Sequence, residues 1–140
     1  MGQQWLRTAW RRNDNEPHNV YFLDDRTGET LDIGTWAGGV SVDHTFTQAG
    51  TIITLCKLHL EMAAYIIVVD TPWFTTARFD PDTLTAEFDI DGVPAGEYEL
   101  RVWHKKLAQK GGTKTIRVQS GATTNTLLTV TKPQYAGSTG

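Results

Sequence analysis

The chain has 140 residues, of which 39% are hydrophobic and 21% are charged, and its formal net charge is −3. This length suits one compact domain or two very small ones, and the hydrophobic share excludes a disordered chain. The negative charge argues against nucleic-acid binding, and the longest apolar run, residues 62–69, is too short for a membrane-spanning helix. The only cysteine is Cys56, which excludes an intramolecular disulfide.

Short segments that alternate in polarity, or that are rich in β-branched and aromatic residues, follow one another along the chain, as is typical of β-strands. In chain order, the predicted strands are residues 4–11, 19–23, 40–46, 51–55, 64–69, 97–103, 113–118 and 126–130. Glycine-containing dipeptides such as Asp91-Gly92 supply the turns. Because no segment sustains the apolar stripe of an amphipathic helix, the predicted fold is an all-β sandwich.

The charge balance changes near residue 71. Acidic residues outnumber basic ones before this point, whereas the second half is slightly basic and contains a stretch without acids, residues 101–117. We therefore predict two small β parts that pack together, residues 1–71 and 72–132, followed by a tail at 133–140. The stretch 101–117 is either a docking patch for an acidic partner or an ordinary solvated face, and the second interpretation is favoured because lysines commonly protect strand edges.

Residue types that bind metals follow the strand predicted at 51–55. Cys56, His59 and Met62 lie at three-residue steps, and His18 precedes the cysteine by 38 positions at the edge of another predicted strand. Two imidazoles and one thiolate, with a weak axial thioether, form the ligand set of a blue copper site. The soft sulfur donors stabilise Cu(I) and the imidazoles bind both oxidation states, so one electron can be exchanged with little rearrangement.

Each of these residues also has a simpler interpretation. A lone buried cysteine is usually a small hydrophobic residue, Met62 alone would be a core residue, and His59 alone would be an exposed side chain. Zinc also accepts one cysteine and two histidines, but a thioether is a poor zinc ligand. His44 and His104 lie outside the pattern and are predicted not to bind metal. Taken together, the four residue types fit copper better than zinc.

At this point the sequence resembles the cupredoxins, the small blue copper proteins of the amicyanin and plastocyanin type. The resemblance covers roughly residues 8–70. It rests on the Cys-x2-His-x2-Met spacing, on residues 10–20, which are similar to an N-x-D-x-x-P-H-N-V strand end, and on residues 48–51, which are similar to the turn before the cysteine strand.

The resemblance implies a Greek-key sandwich with one type 1 copper per chain. It implies His18, Cys56 and His59 as equatorial ligands and Met62 as the axial one. It also implies that backbone N–H groups near Asn19 donate to the cysteine sulfur, and that one histidine, His59, is the route by which electrons leave. Lys57, beside the cysteine, would tend to raise the reduction potential.

The second half resembles a different β family. Residues 88–100 follow the pattern F-x-I-x-G-V-P-A-G-x-Y-x-L of carboxypeptidase-regulatory-like or transthyretin-like modules, which are small β-sandwiches used for packing or docking. Bacterial exported proteins that join a cupredoxin part to such a hairpin, termed methylamine-utilisation-like, are similar overall.

These observations predict a protein that carries single electrons between redox partners. Copper storage or delivery with the same ligands, or a metal-free β-sandwich for assembly, are the alternatives. A site with four protein ligands leaves no open position for a substrate, so no enzymatic activity is expected. An unidentified redox protein is the expected partner, with self-association through an exposed sheet edge as a further interaction. No signal-peptide pattern opens the sequence, but the resemblance implies a periplasmic or extracytoplasmic location.

Overall fold

A computed structural model describes residues 16–36, 39–107 and 112–130 in full and residues 6–11 as backbone. The chain divides into two compact units, one ending at Pro72 and the other beginning at Trp73. The described residues contain no helix, which confirms the all-β prediction. Their strands are β1 (Leu6–Arg11), β2 (His18–Asp24), β3 (Thr30–Trp36), β4 (Ser41–Phe46), β5 (Gly50–Leu55), β6 (Ala63–Val68), β7 (Arg78–Asp80), β8 (Thr85–Glu87), β9 (Gly96–Arg101) and β10 (Thr113–Val118).

The described strands of the first unit form two antiparallel sheets. The larger has the strand order β3-β2-β5-β6, and in the smaller β1 pairs with β4. In the larger sheet Tyr21 of β2 lies opposite Leu55 of β5. The beginning of β2 therefore lies beside the end of β5, at one end of these two central strands. Because consecutive side chains of a strand point to opposite faces, this register also decides which residues share a face there.

The core of the first unit lies between these two sheets. Its buried residues are Phe22, Phe46, Ile52 and Val68, and Val20, Ile33 and Ile66 pack against them. Phe46 belongs to the smaller sheet and the others belong to the larger one, so their contact joins the sheets in a sandwich-like arrangement. The rings of Phe22 and Phe46 meet edge-on with centroids 5.1 Å apart. Burying an aromatic or aliphatic side chain of this size stabilises the fold by about 1.5–3 kcal/mol.

One irregularity interrupts the pairing of β2 with β3. Val20 lies opposite Gly34 and the next residue, Tyr21, lies opposite Asp32, so Ile33 is an extra residue in β3. Gly34 has a φ of 100°, a left-handed conformation that glycine adopts without strain. Such β-bulges bend a strand and change the direction of nearby side chains.

In the described part of the second unit the strands form two separate antiparallel pairs, β7 with β8 and β9 with β10. Trp73 packs edge-on against Tyr98 at a centroid distance of 5.7 Å, and the Tyr98 hydroxyl donates to the Pro94 carbonyl at 2.9 Å. The predicted tail, residues 133–140, lies outside the described residues.

The strand predicted at 126–130 is wrong. These residues are not paired in a sheet, and the Leu127 carbonyl accepts a hydrogen bond from the Lys114 ammonium at 2.8 Å. Alternating polarity favours a strand only where a neighbouring strand is present to receive its hydrogen bonds. The structure also contains three strands that the pattern did not predict, namely β3, β7 and β8.

Within the described ranges, no helix is long and apolar enough to cross a membrane.

Candidate metal centre

Two of the predicted ligands lie close together at the end of the larger sheet where β2 begins and β5 ends. His18 is the first residue of β2, and Cys56 directly follows the last residue of β5. Val20 and Phe22 face the core, and strand alternation places His18 on the same face. Cys56 continues the buried set of β5 in the same way, after Ile52 and Thr54.

His59 completes the cluster from the loop after β5. Its Nδ1 lies 3.7 Å from the Cys56 sulfur, and its ring centroid lies 4.8 Å from that of His18. The ligand atoms of the three residues all lie within 4.8 Å of one another, with Cys56 buried and both histidines half-buried. The structure therefore brings together three of the four residues that the sequence predicts as ligands.

The separation of these atoms can be compared with the geometry of a metal site. Protein ligands bind at about 2.3 Å for a thiolate sulfur and about 2.0 Å for an imidazole nitrogen, so two such atoms at about 120° around one ion lie roughly 3.7 Å apart. The Cys56–His59 distance of 3.7 Å matches this value. A thiolate with two imidazoles suits copper or zinc, so the cluster could hold a metal ion of this class.

The surroundings of Cys56 favour its ionised form. Burial of the thiol disfavours the thiolate, but the backbone N–H groups of Asn19 and Leu58 donate hydrogen bonds to the sulfur, and His59 and His18 add further ones. The hydrogen bonds outweigh burial and lower the pKa of Cys56 from 9.0 to about 6. The hydrogen bond from Asn19 is the one that the resemblance implied. A thiolate is the form of cysteine that binds metals.

The fourth predicted ligand, Met62, lies in the same loop. Its backbone N–H donates to the His59 carbonyl at 3.0 Å and so closes a turn, while 45% of the residue is exposed. The backbone of the loop thus links Met62 directly to one member of the cluster. Axial ligation by its thioether stays a prediction.

A polar network lies on the other face of the sheet from the core, and sequence reasoning missed it. The Asn19 amide nitrogen donates to Asp32 Oδ1 at 2.8 Å and to the Gly34 carbonyl at 3.1 Å. The Lys57 ammonium donates to Asp32 Oδ2 at 2.5 Å and lies 5.6 Å from the centre of the Tyr21 ring. An aspartate two residues before a glycine is a sequence signal for a local turn, but nothing in it points to a lysine 25 positions away.

The remaining histidines have other surroundings. His44 packs against the rings of Phe22 and Phe46, at centroid distances of 5.1 Å and 4.7 Å. His104 is exposed, and its Nδ1 accepts a hydrogen bond from the backbone N–H of Lys106 at 3.1 Å. Neither residue belongs to the His18–Cys56–His59 cluster.

The structure also bears on the cationic stretch 101–117. Arg101 pairs with Glu99, and the Arg117 guanidinium lies 3.5 Å from a carboxylate oxygen of Glu97. These acids lie on β9, just before the stretch begins, so they reduce its local positive charge. An ordinary solvated face accounts for these pairs.

No protein-family model matches the chain, and neither a curated protein nor a solved structure shows significant similarity to it.

Proposed function

We propose that the first unit contains a type 1 copper centre and that the protein carries single electrons between redox partners. The observation that carries this proposal is the cluster of one buried cysteine and two half-buried histidines, with ligand atoms within 4.8 Å of one another. A thiolate with two imidazoles is the equatorial ligand set of blue copper sites. Bound copper would supply one-electron redox chemistry.

The protein's contribution is to hold these ligands in place before the metal binds. His18 pairs with Trp36 of β3, Cys56 directly follows β5, which pairs with β2, and the N–H groups of Asn19 and Leu58 donate to the sulfur. Hydrogen bonds to a ligating sulfur withdraw charge from it and thereby tune the reduction potential. Rigid ligands also keep the structural change between oxidation states small.

His59 is the proposed exit for the electron. It is half-buried, and the residues on either side of it, Leu58 and Leu60, are 53% and 87% exposed. Exposed apolar side chains around a ligand offer a surface on which a redox partner can dock without displacing charged groups. The partner is a redox protein, and the proposed location is periplasmic or extracytoplasmic.

The test is the visible and EPR spectrum of the full chain after addition of Cu(II). We expect an intense charge-transfer band in the visible range and a small parallel hyperfine splitting, both lost in Cys56→Ser. A matched control is His104→Gln, which changes an exposed histidine outside the cluster and should keep the band. A colourless copper complex of the wild-type chain would contradict the proposal.

Copper storage or delivery is the second candidate, and the exposure of Met62 favours it. With 45% of this residue exposed, its soft thioether is open to exchange of Cu(I) with another protein. The electron self-exchange rate separates the two functions. A fast rate supports electron transfer, whereas a slow rate together with rapid transfer of Cu(I) to a chelator supports delivery.

We do not propose an enzymatic role, because ligation by all four predicted residues would leave no coordination position for a substrate.

A further inference from the structure

We infer that Asp32 is a positioning residue of the proposed metal centre, and that it compensates the charge of Lys57. This inference rests on the proposed function. Asp32 contacts Asn19, which follows the candidate ligand His18, and Lys57, which follows the candidate ligand Cys56. One carboxylate on β3 thus joins the residues that come directly after two ligands on two other segments.

The first contact holds the peptide that donates to the sulfur. The Asn19 amide nitrogen donates to Asp32 Oδ1 at 2.8 Å and to the Gly34 carbonyl at 3.1 Å, while its backbone N–H donates to Cys56. Asn19 is buried, with 6% of its surface exposed. Because both ends of the residue are bonded, a shift of its side chain would move the hydrogen bond to the sulfur.

The bulge in β3 places the carboxylate where it can make this contact. Asp32 Oδ1 also accepts from the Gly34 backbone N–H at 2.8 Å, across the extra residue of the bulge. The side chain is therefore oriented by its own strand before it binds Asn19. Groups that orient metal ligands indirectly in this way typically change metal affinity about 10–100-fold when they are removed.

The second contact concerns charge. Lys57 is adjacent to Cys56, and an unpaired ammonium there would raise the reduction potential by favouring the more negative, reduced site. The ammonium lies 2.5 Å from Asp32 Oδ2, so the carboxylate offsets its charge. The side chains of Lys57 and Asp32 are 58% and 39% exposed, and an ion pair this exposed adds little to stability. We therefore expect this ion pair to affect the reduction potential of the copper site rather than the folding stability of the chain.

The two roles can be separated by two substitutions of Asp32. Asp32→Asn keeps an oxygen that accepts from Asn19 and Gly34 but removes the negative charge beside Lys57. Asp32→Ala removes both functions. Asp80 provides a matched control, since it is an exposed aspartate that accepts from the backbone N–H of Asp82 at 2.8 Å in the second unit.

The positioning role is measured on the full chain with and without copper. In Asp32→Ala, we expect the copper affinity, measured by competition with a chelator, to fall about 10–100-fold, and exchange of the Gly34 and Asn19 backbone N–H groups in the metal-free chain to be faster. Asp32→Asn should change both much less. If Asp32→Ala behaves like Asp80→Ala in both measurements, the positioning role is wrong.

The charge role is measured as a double-mutant cycle on the reduction potential. Asp32→Asn should raise the potential, Lys57→Gln should lower it, and the double variant should return close to the wild-type value. Equal potentials in all four proteins would overturn charge compensation. This cycle avoids Asp32→Ala, so it remains decisive even if that variant does not fold.

The measurements also separate this inference from the proposed function. If wild-type protein gives no copper charge-transfer band, the proposed function fails, while amide exchange in the metal-free chain still shows whether Asp32 holds Asn19. If the band is present and the Asp32 variants match their Asp80 controls, only the inference about Asp32 fails.

Discussion

The Asp32 carboxylate titrates differently from an ordinary surface aspartate because of its three partners. The hydrogen bond from Lys57 contributes most, followed by those from Asn19 and from the Gly34 backbone, and together they lower the pKa of Asp32 from 3.8 to about 2. All three interactions favour the charged form. The Asp32 carboxylate is therefore charged at neutral pH, and its network next to the cluster weakens when the carboxylate is protonated in acid.

This shift predicts a pH dependence of stability in the metal-free chain. The pKa of Asp32 is lower in the folded state than in the unfolded state, so its stabilising contribution is present above about pH 4 and is lost as the pH falls through about 2. The difference in unfolding free energy between wild type and Asp32→Asn should shrink over this interval. Urea denaturation at several pH values measures it, and carboxyl NMR gives the pKa directly.

Lys57→Gln is the control for the cause of the shift. Removing the partner that contributes most should move the pKa of Asp32 back toward its ordinary value. An unchanged Asp32 pKa in Lys57→Gln would show that the ion pair is not what favours the carboxylate.

At the level of secondary-structure elements, the β-bulge in β3 depends on the left-handed backbone conformation of one residue, Gly34. Gly34 has a φ of 100°, and a Cβ built at this position would meet no atom within 4 Å. A side chain here is therefore opposed by backbone strain alone and not by crowding.

Gly34→Ala should consequently destabilise the first unit by about 1–2 kcal/mol. The matched control is Gly50→Ala at the start of β5, where a Cβ also meets nothing within 4 Å and the φ is not positive. Chemical denaturation of the two variants measures the difference. Equal stabilities would show that the bulge relaxes into a conformation that alanine tolerates.

β3 also shows which parts of this fold could be predicted from the sequence and which could not. Alternation and β-branched residues predicted β2, β4, β5 and β6, because these strands bury one face against a core. β3 was not predicted because Asp32 and Gly34 are residue types that are uncommon in strands, and these two residues flank the extra residue of the bulge. The Cys56–His59 spacing is local and could be recognised, whereas the contact of Asp32 with Lys57 depends on the pairing of three strands.

At the scale of the whole chain, the residues of the candidate centre all lie in the first of the two compact units. Copper that binds only the folded first unit would stabilise this unit by about 2.7 kcal/mol when the free copper concentration is 100 times the dissociation constant. Amides that exchange through unfolding of the first unit should then exchange about 100-fold more slowly.

Hydrogen exchange of the full chain, with and without copper, tests this expectation. Protection should be concentrated in β2 and β5, and β9 and β10 should keep close to their metal-free rates. Cys56→Ser should remove the protection. An equal slowing in β9 and β10 would show that the two units unfold as one.

The unequal spacing of the candidate ligands along the chain has a consequence for assembly. Cys56 and His59 are three residues apart and are neighbours even in an unfolded chain, whereas His18 joins them only when β2 pairs with β5. A metal ion bound during synthesis would therefore meet Cys56 and His59 first and would gain His18 only when β2 pairs with β5. Early binding to an incorrect third ligand would slow folding, whereas binding after β2 has paired with β5 would favour it. The order of metal binding and strand pairing would then determine how much protein acquires the correct ligands.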